Sequence, residues 1–148
     1  MKKKIGEIYL VYQQMIQTKM TGMDSDKAWA LIMFISDAKR ICASYDSTRE
    51  QALSSFRPDD WDEKLPKVQE AENPESKMDD DERKELLAYR DKFQNAVNEV
   101  LLKEWGKEVE IDDHGIDADA LKGYCKANQF TVADAVSLVE FFGCVSPS

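Results

Sequence analysis

Apolar residues recur at intervals of three and four from Asp26 to Phe56, with neither Gly nor Pro between them. Leu31, Ile35, Ala38, Cys42, Tyr45, Ala52 and Phe56 form one stripe, which Ile32, Phe34 and Ile41 widen. This spacing predicts a single long amphipathic helix. At about 1.5 Å of rise per residue it would be roughly 45 Å long, too long for small helices alone to cover. A second stripe of similar length runs from Asp79 to Trp105 through Leu86, Tyr89, Phe93, Ala96, Val97, Val100 and Leu101. Carboxylates at Asp79 to Glu82 suit the positive end of its dipole, and Gly106 can terminate it. The economical arrangement is a long antiparallel hairpin of these two helices.

The remaining segments are shorter. Ile5, Ile8, Tyr12, Met15 and Ile16 share a face over residues 5–20, which predicts a short N-terminal helix, although Tyr9-Leu10-Val11-Tyr12 would also suit a strand. Gly22 can take a left-handed conformation, and Asp24 or Ser25 can cap the long helix. Lys107 to Ile111 alternates polar and apolar residues as a short strand does, and its only plausible strand partner is the N-terminal segment. Asp117 is placed to cap a small helix ending near Asn128, while Thr131 with Asp134 opens another that Gly143 terminates. Val145 to Ser148 is expected to fray. The fold class is therefore mainly α, with a long hairpin, a short N-terminal helix, two small helices in the subregion 107–148 and one short strand at most.

Residues 57–82 break the pattern. They hold three of the four prolines and eleven carboxylates with few large apolar groups, and a mobile acidic loop between the long helices is expected. Trp61 is the exception, since an indole in a solvated segment packs on its own core or anchors a partner.

Composition adds constraints. The length of 148 residues suits one domain, and a hydrophobic fraction of 43% supports a real core. The net charge of -9 disfavours nucleic acid, which demands a concentrated basic face. Most of the acidity lies in residues 57–82, which sum to -7. Cys42, Cys125 and Cys144 are an odd set without paired spacing, as expected of reduced thiols in a cytoplasmic protein. The basic start Lys2-Lys3-Lys4 reads as a solubilising terminus: Glu7, Gln13 and Gln14 interrupt any signal-like apolar run, and no run approaches the roughly 20 residues that span a bilayer.

Catalytic motifs are missing from the sequence. It contains no glycine-rich phosphate loop, no Cys-x-x-Cys pair, no zincin-type histidine pair and no serine elbow. The densest chemistry is Asp112-Asp113-His114-Gly115-Ile116-Asp117-Ala118-Asp119, which includes the single histidine. A calcium loop of the EF-hand type needs oxygen ligands at its third and fifth places and Gly at its sixth. From Asp112 those places hold His114, Ile116 and Asp117, so a turn bent at Gly115 and a helix cap at Asp117 are expected. No metal, cofactor or enzymatic activity is predicted.

The order of features, with Ile5-Gly6-Glu7-Ile8, then Asn98-Glu99-Val100-Leu101-Leu102 running into Glu108-Val109-Glu110-Ile111, resembles small uncharacterised proteins of tailed-phage and prophage gene modules. The resemblance implies a non-enzymatic assembly or interaction protein, and it carries no site residues with it. On the apolar pattern, Leu31, Ile35, Phe56 and Phe93 of the hairpin, together with Trp61, are the expected contacts with a protein partner or with further copies in a homo-oligomer. The alternative is an acidic binding module or inhibitor that recognises a basic partner with the loop around Trp61.

Overall fold

A computed structural model describes residues 1–143. The frayed end expected at Val145 to Ser148, and Cys144, lie outside the described residues. The elements in chain order are β1 (Lys2–Lys4), α1 (Ile5–Met15), α2 (Ser25–Phe56), α3 (Trp61–Glu72), α4 (Asp80–Trp105), β2 (Glu108–Glu110), α5 (Ala118–Asn128) and α6 (Val132–Phe142). Among the described residues no helix is long and apolar enough to cross a membrane. The chain divides into two compact units, Met1–Tyr45 with the chain from Trp105 onward, and Asp46–Glu104. Helix α2 runs through the division at Tyr45, and α4 ends just beyond it.

In the first unit the N-terminal half of α2 is the central element. Leu31, Phe34 and Ala38 are fully buried, in one core with Ile8 and Met15 of α1, Leu121 and Tyr124 of α5, and Leu138 of α6. Phe34 meets Phe141 and Phe142 edge-on, with ring centroids 5.7 and 4.8 Å away, a geometry that sets the positive edge of one ring against the negative face of another. The Tyr124 hydroxyl is paired with that of Thr18. Burial pushes its pKa up to about 12, against the opposing effect of the Thr18 hydrogen bond. Helix α1 stops at Met15 rather than reaching Met20, which leaves Ile16 exposed.

The lysines at the start of the chain are structural as well as solubilising. Strand β1 pairs antiparallel with β2 in the register Lys2 to Glu110, Lys3 to Val109 and Lys4 to Glu108. Each flanking pair places opposite charges face to face, the favourable combination for directly opposed residues. Lys3 also lies over the Phe141 ring, 4.8 Å from its centroid. Just downstream, α1 carries Gly6 against the indole of Trp105, where a Cβ would fall 2.1 Å from Nε1. Trp105 then packs against Tyr9 and Tyr45 at centroid distances of 5.5 and 5.3 Å.

The second unit contains the hairpin. Ala52 of α2 packs with Phe93 and Val97 of α4, and the two helices run antiparallel. The expected acidic loop at 57–82 is not what forms there, because its middle is helix α3 and its last residues, from Asp80, open α4. Trp61, Leu65, Val68 and Ala71 recur every three or four residues and supply the stripe that the prolines and carboxylates obscure. Val68 and Ala71 are buried against Leu86 of α4, and Trp61 stacks on Tyr89. Pro66 sits in the second turn, where it takes one N–H donor out of the ladder. The connection to α4 is stitched by Arg83, whose guanidinium donates to the carbonyls of Ala71 (3.2 Å), Asn73 (2.9 Å) and Ser76 (2.8 Å).

Candidate functional site

The second unit carries three adjoining hollows. A groove of about 550 Å³ opens between the end of α2 and α3, with Leu53, Trp61, Leu65 and Phe93 as its apolar walls. Glu50 and the ion-paired Arg57 and Asp62 stand around it. Two smaller hollows adjoin it. One of about 330 Å³ is bordered by Phe56, Tyr89 and Phe93, and one of about 290 Å³ by Leu53, Val97 and Leu101. Phe93 borders all three and is itself buried. Leu53, on the groove, and Phe56, on the adjoining 330 Å³ hollow, remain 42% and 44% exposed, so each opening carries a large apolar side chain in water.

Several groups fix the groove walls. The Tyr89 hydroxyl donates to Asp60 Oδ1 at 2.6 Å, at the turn that starts α3. This bond holds the Asp60 carboxyl below its ordinary pKa, with Lys64 adding to the effect, and burial together with Asp60 pushes Tyr89 up to about 12. The Lys64 ammonium lies 4.7 Å from the Tyr89 ring centroid. Trp61 is thereby clamped between Tyr89 and Phe93, whose centroids lie 5.8 and 4.9 Å away. It forms a wall of the groove and does not project from it.

The residues expected to contact a partner separate accordingly. Leu31 is fully buried in the first unit, so it is a core residue, and Ile35 packs against the same core. Phe93 is also core, in the second unit, and reaches the surface only as groove lining. Trp61 and Phe56 line the groove system from α3 and α2. An apolar stripe identifies the residues that must be covered; whether the covering comes from the same chain is a tertiary fact. Leu53, off the predicted stripe, was not among the expected contacts, and neither was Trp29, which is 62% exposed on α2.

The Asp112 to Asp119 window forms a turn and a helix start. Asp112 accepts from the His114 N–H at 2.8 Å and Asp113 from the Gly115 N–H at 2.9 Å, which supports positive φ values of 52° and 72° at His114 and Gly115. Asp117 caps α5 by accepting from the Ala120 N–H at 2.8 Å. The imidazole reaches α2, where His114 Nε2 donates to Asp37 Oδ2 at 2.6 Å beside the ion-paired Arg40. The hydrogen bond from His114, assisted by Arg40, holds the Asp37 carboxyl below its ordinary 3.8 despite partial burial.

A carboxylate with a depressed folded-state pKa contributes stability above its unfolded pKa, and that contribution fades as pH falls through the folded value. Asp37→Asn is therefore expected to be less stable than the wild type near neutral pH. The difference should disappear well below pH 3.8. Urea melts of both proteins across that range check this, and a gap that widened towards acid would contradict it.

Comparison with protein-family models, curated proteins and solved structures finds no match.

Proposed function

We propose that this chain is a non-enzymatic interaction protein, of the assembly type that its order of features resembles in phage and mobile-element modules. In this reading its second unit captures a basic amphipathic segment of a partner protein. The observation that carries the reading is the groove beside α2, with Leu53 exposed on its rim and Phe56 exposed on the hollow that adjoins it. Apolar side chains standing together at a concave surface are the usual mark of a protein contact.

Charge selects the partner. Residues 46–104 hold seventeen carboxylates against ten lysines and arginines, a net of -7, so most of the molecule's negative charge belongs to the unit that carries the groove. Such a field speeds the encounter with a cationic segment and disfavours acidic ones. A helix presenting two apolar anchors and a lysine-rich flank fits both features, the anchors entering beside Trp61 and Phe93. A cytoplasmic location, with Cys42 and Cys125 not joined in a disulfide, belongs to the same reading.

The test is titration with an amphipathic leucine and lysine peptide, alongside a leucine and glutamate peptide of the same length. The basic peptide is expected to bind, more weakly as salt rises. The double variant Leu53→Glu, Phe56→Glu should lose about tenfold or more in affinity, the effect of roughly 1.4 kcal/mol. Equal binding of both peptides would overturn the charge argument, and unchanged affinity in the double variant would overturn the site.

A further inference from the structure

On the N-terminal half of α2, opposite the side buried in the first unit, Trp29, Ile32 and Met33 are exposed together, at 62%, 38% and 38%. Residues at i, i+3 and i+4 are neighbours on a helix surface, so these three make one patch. Asp26 lies seven residues before Met33, and Arg40 lies seven residues after it, both exposed on the same side. Ser36 continues the face between Met33 and Arg40. Two copies of this sequence laid antiparallel, with the two-fold axis at Met33, bring each Asp26 level with the other copy's Arg40. They also set each Trp29 within one residue's rise, about 1.5 Å, of level with the other copy's Ser36, whose small side chain leaves room for the indole. The face is thus complementary to itself in charge and in bulk, as a two-fold contact requires, because every contact is made twice.

We propose that this face of α2 is a self-association surface, through which two copies of the chain pair antiparallel about Met33. Arg40 keeps its bond to Asp37 within the chain, and its fork still has donors to offer outward, its side chain being 76% exposed. The patch contains an exposed tryptophan, a residue type enriched among those that dominate binding energy. This surface lies on the first unit and shares no residue with the groove of the second, so either can fail without the other.

The experiment is light scattering after size-exclusion chromatography over a wide concentration range, on the wild type and four variants. The wild type is expected to shift from monomer to dimer as concentration rises. Asp26→Arg and Arg40→Asp, tested singly, each set like charges opposite one another twice per dimer, and each should weaken pairing about tenfold. The double variant Asp26→Arg, Arg40→Asp restores the pairing of opposite charges and should return to within about threefold of the wild type. Because Arg40→Asp also places an acid beside Asp37, Met33→Asp serves as a variant that leaves that cluster intact, and it should be monomeric. A wild-type monomer at every concentration would overturn the proposal. So would a Met33→Asp dimer, single charge variants that pair as the wild type does, or a double variant weaker than either single.

Discussion

Phe34→Ala is expected to destabilise the first unit by about 3–5 kcal/mol, the range for deleting a buried aromatic ring. The ring is fully buried, and its loss removes two edge-on contacts, with Phe141 and Phe142, that hold α6 against α2. The neighbours are themselves anchored by helix termini, so collapse into the vacancy is limited. Thr131 and Asp134 cap α6 reciprocally, and Gly143 closes it in a left-handed conformation. Urea denaturation followed by circular dichroism measures the loss, and a cost under about 1 kcal/mol would mean that α6 repacks freely. A marginally stable protein has little reserve for such a change, so the variant is expected to be partly unfolded at physiological temperature.

Gly6→Ala is expected to destabilise by about 1–3 kcal/mol, although alanine in a helix interior is ordinarily favoured over glycine by about 1 kcal/mol. The sign is set by Trp105. An added methyl would meet Nε1, Cε2 and Cδ1 of the indole at 2.1–2.5 Å, and a rigid ring cannot turn its far end away as a lysine could. To make room, the indole must slide off Tyr9 and Tyr45, weakening aromatic contacts worth about 0.5–1.5 kcal/mol each. Thermal and urea melts of Gly6→Ala, Trp105→Leu and the double variant check the cause. The alanine should be harmless or stabilising once the indole is gone. If Gly6→Ala alone stabilised the protein, the close packing of α1 on Trp105 would be wrong.

The sequence made some of this architecture readable. The limits of α2 could be placed within one residue of Ser25–Phe56, because the helix contains no Gly or Pro and its stripe is unbroken. The caps at Asp117, at Thr131 with Asp134, and at Gly143 were legible because capping is local chemistry. Helix α3 was hidden: prolines at positions 58, 66 and 74, and a dense acidic composition, outweighed four apolar residues at helical spacing. Strand β1 was half legible. The N-terminal segment is the partner expected for Lys107 to Ile111, but three lysines show no alternation, and only the facing Glu108 and Glu110 give them their place in the sheet.

The candidate site was less legible. Sequence periodicity named Leu31 and Phe93 as contacts because they lie on apolar stripes, and the structure shows both stripes covered by the same chain. What remains exposed on α2 includes Leu53, off the stripe, Phe56, at its end, and, on the other face, Trp29, Met33 and Ile32, the last of which was expected to widen the stripe. Trp61 was singled out on residue type alone, and its environment of Tyr89, Phe93 and Asp60 depends on contacts no local pattern encodes. The pairing of Asp37 with His114 spans 77 residues and is a product of the fold.

In the proposed function the groove of the acidic second unit receives a basic amphipathic segment. Backbone and methyl chemical-shift mapping during titration with the leucine and lysine peptide tests it most directly. Saturable shifts centred on Leu53, Phe56, Leu65 and the Trp61 indole are expected, diminished by salt and absent with the glutamate peptide. Shifts that never saturate, that appear equally with the acidic peptide, or that leave these four residues unchanged would contradict it.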